Sequence, residues 1–404
     1  MLRDKASVPW ICCQLGAREH YAVPRAINRT GLLSELITDF WLAPGAASKT
    51  MKNGFSDRYH PDLRNAKVQS DNLSVAAFEL KSRLSGRNGW RLIQRRNARF
   101  QDFALAELAR VAKTIGDRSI KVFAYSYAAA KLFSFAKERS WTTVLSQIDP
   151  GPLEERLVGE LHEAADLRHT WKPAPAEYWD AWRVECELAD QIIVNSDWSR
   201  AALLNEGVPY KKLAVLPLAF EPNNEAVAFN RRYPSVFTKE RPMRVLFLGQ
   251  INVRKGVLEL LAAAEKLIEE PIEFSFVGPV QYEIAGTISA LSSIKWIGIS
   301  PRSEVAKHYK AADLFVFPTH SDGFGLTQLE AQSWKLPIVA SRHCGEVVLD
   351  GVNGLRIAEV SAEEIAASLL RLLHDPQSLQ RMSDQSCVPE RCTLKALSSS
   401  LLKT

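Results

Sequence analysis

The sequence predicts an α/β protein of two domains, each a parallel sheet covered by helices. Three observations predict it. The chain has 404 residues, longer than one ordinary domain and enough for two of roughly 200. Short apolar runs recur along it, several ending in a glycine-containing turn before an amphipathic stretch, which is the mark of repeated βα units. Residues 221–242 carry Pro222, Asn223, Asn224, Pro234 and Pro242, a linker composition that separates 1–220 from 243–385 and a terminal segment at 386–404.

In the first domain, residues 8–15 form an apolar run that breaks at Gly16, a strand followed by a helical stretch over 24–33 that ends near Gly31. Residues 37–42 are the expected second strand, and 45–100 are less regular. Between Lys81 and Arg99 lie seven basic residues and no acid: Lys81, Arg83, Arg87, Arg91, Arg95, Arg96 and Arg99. Four of them recur at every fourth position, as a stripe on one helical face would, although Gly86 and Gly89 weaken the start of such a helix. A solvated surface helix accounts for the run as well as an anionic partner does, and no nucleic-acid motif accompanies it. Residues 120–125 read as a strand and 128–137 as a helix. A strand over 142–150 presents Gln147 and Asp149 at its carboxyl end, where open parallel sheets bind ligands; Asp149-Pro150 is equally readable as a turn. A helical region rich in Trp and Glu runs over 153–187. Residues 192–194 are a buried strand, Ser196 can cap the next helix, Gly207 stops it, and 213–218 are a further strand.

The second domain opens with a strand over 243–248, a turn from Gly249 to Gly256, and an amphipathic helix over 257–269. Arg254 and Lys255 sit in that turn, placed to neutralise a diphosphate, with two solvated cations at a loop tip as the alternative. Residues 273–278 and 294–298 repeat the strand-to-glycine turn, and 303–312 are helical. Residues 313–317 are apolar and stop at Pro318, a buried strand. Gly323 and Gly325 then flank Phe324, and the spacing of Leu326, Leu329 and Trp334 is helical. Strand, glycine loop and helix aim backbone N–H groups and the positive end of a helix at an anion. Asp322 and Glu330 bracket this turn, so one segment can hold an anion by its backbone and a polyol by its carboxylates. A tight turn at 351–354, a helix over 362–374 ended by Asp375-Pro376, and a blurred helix near 393–402 complete the chain.

These segments resemble the retaining nucleotide-sugar glycosyltransferases of family 4, which have the GT-B fold of two Rossmann-like domains facing across a cleft. The family pattern is Glu-Gly-Phe-Gly-Leu-x-x-x-Glu followed by a Pro-Val-Val-Ala-Ser-type strand. Here it stands as Asp322-Gly-Phe-Gly-Leu-Thr-Gln-Leu-Glu330 and Pro337-Ile-Val-Ala-Ser341. Ala189-Asp-Gln-Ile-Ile-Val-Asn-Ser196 and Asp350-Gly-Val-Asn-Gly354 also match its runs. The chain departs from the pattern at Asp322, one methylene shorter than Glu, at Lys335, at Ala219, and at Gln250, where many members have Arg and Arg254 is left to supply the charge. The match is specific over residues 187–374 and topological before them.

The resemblance implies a retaining glycosyltransferase (EC 2.4, a hexosyltransferase) that moves a sugar from a nucleotide-diphosphate sugar, such as a UDP- or GDP-sugar, to an acceptor hydroxyl in glycan, polysaccharide or glycolipid synthesis. Glu330 would hold the ribose hydroxyls and Asp322 the sugar hydroxyls. Gly249, the backbone of Gly323, Phe324, Gly325, Leu326 and Thr327, and the cations Arg254 and Lys255 would hold the diphosphate. Ile297 and Gly298 would meet the base. The first βα turn faces the cleft in this fold, which makes Gly16, Arg18 and His20, with Asp149, acceptor-side candidates. No cofactor and no metal is required, and the terminal segment would cross back to the first domain. The acceptor would be a glycan, a lipid or a small molecule. Residues 81–99 are a candidate for peripheral membrane contact, and no nucleic acid is expected. Two alternatives stay open: a nucleotide-sugar epimerase of the same fold, which turns over donor without acceptor, and a non-catalytic sugar-nucleotide-binding protein.

Composition agrees with this class. A chain that is 46% hydrophobic and 24% charged can bury real cores. No apolar run reaches the ~18 residues of a membrane span. The N-terminus lacks a signal-peptide segment, and six cysteines without Cys-x-x-Cys spacing point to reduced thiols. The expected location is the cytoplasm, peripheral on the inner membrane face where the basic stretch binds. A net charge of +5 is compatible with anionic donors or a membrane surface and requires neither.

Overall fold

The computed structural model describes residues 8–43, 58–86, 88–116, 118–281 and 291–404. The first sheet is built from β1 (Trp10–Gln14), α1 (Ala22–Asn28), β2 (Leu33–Thr38), β3 (Val68–Ser70), α2 (Asn72–Leu84), α3 (Gly89–Ile115), β4 (Lys121–Tyr125), α4 (Ala130–Lys137), β5 (Thr142–Gln147), α5 (Pro152–Ala164), α6 (Ala176–Leu188), β6 (Gln191–Val194), α7 (Asp197–Asn205) and β7 (Leu213–Val215). Its strand order is β3-β2-β1-β4-β5-β6-β7, with parallel pairing throughout. After the connecting α8 (Asn224–Ala228) come β8 (Met243–Leu248), α9 (Val257–Lys266), β9 (Ile272–Val277), β10 (Ile294–Gly298), α10 (Arg302–Ala311), β11 (Leu314–Phe317), α11 (Leu326–Ser333), β12 (Ile338–Ser341), β13 (Gly354–Ile357), α12 (Ala362–Leu373), α13 (Pro376–Gln385) and α14 (Leu394–Leu401). The second sheet is parallel too, in the order β10-β9-β8-β11-β12-β13.

Helices cover both faces of each sheet, so β1, β11 and β12 are buried along their whole length and apolar except at their last residues, Gln14 in β1 and Ser341 in β12. On α3, Phe100, Ala104, Leu108 and Val111 recur at helical spacing and seal one face of the first sheet. The opposite face is covered by α1 and by α14, whose Leu394, Leu397 and Leu401 pack with Tyr21, Ala26 and Ile27. Ser398 Oγ donates to the Ala26 carbonyl at 2.8 Å, so the last helix rests on the first domain. In the second domain α9 and α12 pack together over one face, while Tyr309, Ala331 and Trp334 line the other.

Several expected boundaries move. The second strand begins at Leu33, not at 37, and the polar Ser34 and Glu35 hid its start. Glu35 is 1% exposed yet satisfied, because Arg110 Nη2 donates to both its oxygens at 2.9 Å and Lys67 pairs with it. Within the stretch expected to be less regular, α2 spans 72–84, and the helix considered for the basic run is the start of α3, which continues to Ile115. The helical region over 153–187 is two helices, interrupted where Asp166 takes φ +58 and Pro173 and Pro175 follow. Asp375-Pro376 opens a helix as well as closing one: Asp375 accepts from the Ser378 N–H at 2.9 Å and Pro376 occupies the first turn.

Each sheet reverses its winding once, between β1 and β4 and between β8 and β11. In open parallel sheets the crevice outside the strand ends at such a point receives ligands. In the second domain the bordering loops are 249–256 and 318–325; in the first they are 15–21 and 126–129.

Candidate active site

The two loops of the second domain press backbone on backbone. Asn252 Oδ1 accepts from the Lys255 N–H at 3.1 Å and caps the single turn Val253–Lys255. Gly256 follows at φ +68, and a Cβ there would sit 1.9 Å from the Pro318 carbonyl oxygen, so only glycine permits the approach. The approach brings Lys255 against Asp322, with Lys255 Nζ donating to Asp322 Oδ2. Arg254 Nη1 lies 3.9 Å from the same oxygen and donates to the Ser321 carbonyl at 2.6 Å. Burial lowers the Lys255 ammonium below its ordinary value, and Asp322 only partly counters this. Burial works to raise the Asp322 carboxyl, but the charges of Lys255 and Arg254, with hydrogen bonds from Lys255 and the Phe324 N–H, hold it below the usual range. The Lys255 ammonium also lies 5.0 Å from the centre of the Phe317 ring.

The N-terminus of α11 points into this corner, and no side chain caps it. Its first-turn N–H groups and the two cations make a cradle for an anion. One turn further, Tyr309 Oη donates to Glu330 Oε2 at 2.7 Å and fixes that carboxylate. Burial raises the Glu330 carboxyl, opposed by this hydrogen bond and by the charge of Arg302.

The first domain supplies the facing wall. Glu154, in the first turn of α5, accepts from Ser321 Oγ at 2.7 Å and from Arg254 Nη1 at 3.4 Å. Burial pushes its carboxyl up to about 7, with Arg254 opposing and Asp149 reinforcing. Ser196 Oγ donates to the Gly323 carbonyl at 2.7 Å, and Trp198 Nε1 to Ser321 Oγ at 3.1 Å. A Cβ on Gly323 would lie 2.2 Å from the Ile148 carbonyl oxygen. The loop that bears Asp322 is thus gripped from both domains.

The acceptor-side candidates fall along the same mouth. Asp149 accepts from Tyr127 Oη at 2.5 Å, Gln147 Nε2 at 3.0 Å and the Gly151 N–H at 2.9 Å. Gly16 donates its N–H to Asp39 Oδ1 at 2.9 Å, and the Arg18 guanidinium sits 5.7 Å from the Tyr125 ring centre. His20 Nε2 is 2.9 Å from Arg302 Nη2 across the cleft. Glu19, His20 and Tyr21 all have left-handed backbones, with φ of +51, +52 and +61, a run of strain at a cleft-facing turn.

Two residues expected at the donor through their backbone, Phe324 and Ile297, have side chains that face other parts of the domain. The Phe324 side chain is buried with Leu329, Val347 and Cys392, and its N–H is taken by Asp322 Oδ1 at 3.2 Å, so it is a core group. Ile297 lines a separate cavity of about 490 Å³ with Arg244, Lys295 and His308, away from both loops. Gly298 accepts from the Gly278 N–H at 2.8 Å, while Gly249 donates to the Val277 carbonyl at 3.0 Å beside the cradle. In the basic stretch, Arg87 lies outside the described residues; Arg91 and Arg95 are exposed, whereas Arg96 pairs with Glu79 and Arg99 with Asp71. Trp90 Nε1 donates to the Lys172 carbonyl at 3.1 Å. Glu154, Ser196, Trp198 and Tyr309 carry no local signal for a site. The one available hint was the position of Glu154 three residues after the Asp149-Pro-Gly turn.

Among the described residues no group of three or more His, Cys, Asp or Glu side chains converges to hold a metal ion. No helix among them is long and apolar enough to cross a membrane.

Residues 242–375 match the family model of "Glycosyl transferases group 1". The chain is similar to D-inositol 3-phosphate glycosyltransferase of Thermobifida fusca (strain YX), 28% identical over 255 residues that cover 56% of this chain and 58% of the relative. It is also similar to sulfoquinovosyl transferase SQD2 of Arabidopsis thaliana, 28% identical over 227 residues, 55% of this chain and 40% of the relative. The chain therefore spans less than two thirds of the length of these curated relatives. Among solved structures it resembles Anabaena HepE in complex with UDP, with a TM-score of 0.61 at 16% identity over 98% of this chain and 99% of that one. It likewise resembles sucrose-phosphate synthase from Thermosynechococcus elongatus, with a TM-score of 0.62 at 15% identity over 98% of both chains. Two parallel-sheet domains matched along their whole length by these solved structures give the chain the GT-B fold, and the stretch similar to Glycosyl transferases group 1 includes the loops that carry Lys255, Asp322 and Glu330.

Proposed function

We propose that the protein is a retaining glycosyltransferase that moves a sugar from a nucleoside-diphosphate sugar to an acceptor hydroxyl in the interdomain cleft. One observation carries the reading: Lys255, Arg254 and the uncapped N-terminus of α11 converge on one corner beside Asp322. That is the arrangement a departing diphosphate needs, because its charge grows as the glycosidic bond breaks and fixed cations in a site of low dielectric stabilise it most. Glu330, oriented by Tyr309, suits the vicinal hydroxyls of a ribose. Asp322, at the glycine loop, suits sugar hydroxyls once donor phosphates draw Lys255 away. The incoming hydroxyl would arrive from the first domain, past Asp149 and Arg18.

A uridine nucleotide is the first donor to try, since Anabaena HepE is described with UDP and with UDP-glucose. Exposed Arg91 and Arg95 on α3, and exposed Leu80 and Leu84 on α2, support a peripheral contact with an anionic membrane as part of the same reading. The test is calorimetric binding of UDP, GDP and their glucose and mannose derivatives, followed by product analysis. Binding with release of nucleotide upon sugar transfer is the expected result. Failure of every nucleotide to bind at millimolar concentration overturns it, and conversion of the donor sugar without acceptor would make the protein an epimerase.

A further inference from the structure

The first domain holds a second charged cavity, of about 300 Å³, between the end of β1 and helices α2 and α3. Arg58, Arg83, Arg96 and Arg99 line it, against the carboxylates of Asp39 and Glu79. We infer that this cavity binds a phosphate monoester carried by the acceptor, an inference that rests on the transferase reading above.

The charge balance comes first. Four arginines against two carboxylates leave the walls positive, and they stay so when Asp71, which pairs with Arg99 from outside the lining, is counted. The carboxylates are engaged in building the cavity. Asp39 accepts from the Gly16 N–H and from Arg58 Nη1, each at 2.9 Å. Glu79 takes Arg96 in a two-pronged bond of 2.7 and 2.5 Å, reaching from α2 to α3. Arg83 has no carboxylate within ion-pair distance among the described residues, so its charge is uncompensated. Planar guanidinium groups held at several angles around a concave wall are suited to phosphate oxygens, which accept paired N–H bonds.

Location connects the cavity to transfer. Leu15 lines both it and a neighbouring cavity of about 120 Å³ that also meets Arg18, Tyr127, Ile148 and Asp149. The Ile148 carbonyl is the atom that abuts Gly323 in the donor loop. Donor loop, small polar cavity and arginine cavity therefore lie in sequence along the mouth of the first domain. An acceptor can present its hydroxyl to the donor from the small cavity while its phosphate sits among the arginines.

The experiment uses the full chain with saturating UDP, which fills the donor cradle and leaves the arginine cavity for a second anion. Glucose 6-phosphate, inorganic phosphate and neutral glucose are titrated by calorimetry, and flotation is measured with phosphatidylcholine vesicles with and without phosphatidic acid. The expected result is binding of glucose 6-phosphate at least tenfold tighter than glucose, weakened at least tenfold by Arg83→Ala with Arg96→Ala, with UDP affinity unchanged. Arg83→Ala alone, at an exposed position with no ion-pair partner among the described residues, keeps the test valid if the double variant fails to fold; it should weaken the phosphate ester severalfold. Loss confined to acidic vesicles also supports the site and assigns the phosphate to a lipid headgroup. Absence of binding both to glucose 6-phosphate and to phosphatidic acid vesicles, or binding unchanged in the variants, overturns it. A wild-type chain that ignores UDP would sink the nucleotide-sugar reading instead, and the phosphate titrations would still decide the cavity.

Discussion

Lys255 sits where a small change should cost most. Its ammonium is buried against Asp322, and in the proposed reaction it turns from that carboxylate to the leaving diphosphate. Lys255→Ala is expected to lower turnover of a UDP-sugar by about 10²–10³-fold, the size of effect seen when one oxyanion-stabilising group is lost. Steady-state kinetics with a thermal unfolding control checks this, and near-normal turnover would remove Lys255 from the role. Glu154 makes a separate prediction in pH. Its folded-state carboxyl is raised to about 7 by burial, so the folded protein holds that proton more tightly than the unfolded chain does. The associated stability is fully present below the ordinary carboxylate value of about 4.5 and is lost as pH rises through about 7. Glu154→Gln should flatten the fall in unfolding free energy between those limits by on the order of 1–3 kcal/mol, read from denaturant melts across that pH range. Glu19 and Glu185 titrate in the same direction, so the difference between variant and wild type is the quantity to read.

At the scale of elements, helix ends decide how the donor loops are held. Arg231, just after α8, donates to the carbonyls of Tyr309 at 2.8 Å, Lys310 at 3.3 Å and Trp334 at 3.0 Å, and also to that of Ala312. One buried guanidinium thereby satisfies the C-terminal carbonyls of α10 and α11 and ties together the helices that carry Tyr309 and Glu330. Arg231→Met keeps the apolar stem and removes the donors. It should destabilise the second domain by roughly 2–4 kcal/mol, because several buried acceptors lose their partner at once. Calorimetry would show the second-domain transition shifted down, and an unchanged melting profile would count against this account. Nothing in the local composition around Arg231 marks it for this work, since the carbonyls it serves lie 78 to 103 residues away.

For the whole molecule, the question is how tightly the two domains close. Gly323 packs with no room for a Cβ against Ile148, and Ser196 and Trp198 bond to the same loop. Gly323→Ala should leave each sheet folded while forcing the mouth apart. The expected signature is a larger radius of gyration in small-angle scattering together with weakened transfer, and a variant that matches wild type in both would show the contact to be slack. The terminal helix α14 acts at the other end, holding the chain's last turns on α1 through Leu397 and Ser398.

Much of this could be read without coordinates, because it is written in local terms. Apolar runs of four to six residues followed by glycine and then a 3.6-residue period specify strand, turn and helix within a few neighbours, which is why Lys255, Asp322 and Glu330 were identifiable from their own segments. The start of β2 escaped because a buried Glu35 breaks the apolar pattern and is acceptable only once Arg110, 75 residues on, reaches it. The same limit governed the site. Glu154 meets Ser321 across 167 residues and Trp198 meets it across 123, and no periodicity or turn rule links such partners. The sequence by itself determined two parallel-sheet domains, most of their strands, and the groups carried by the glycine-containing turns, whereas the strand order and the edge strands β3 and β13 came from the structure. Only the tertiary structure decided which first-domain side chains face them, that Phe324 and Ile297 turn away, and that arginines from α2 and α3 enclose a cavity, since each depends on how independently folded edges pack.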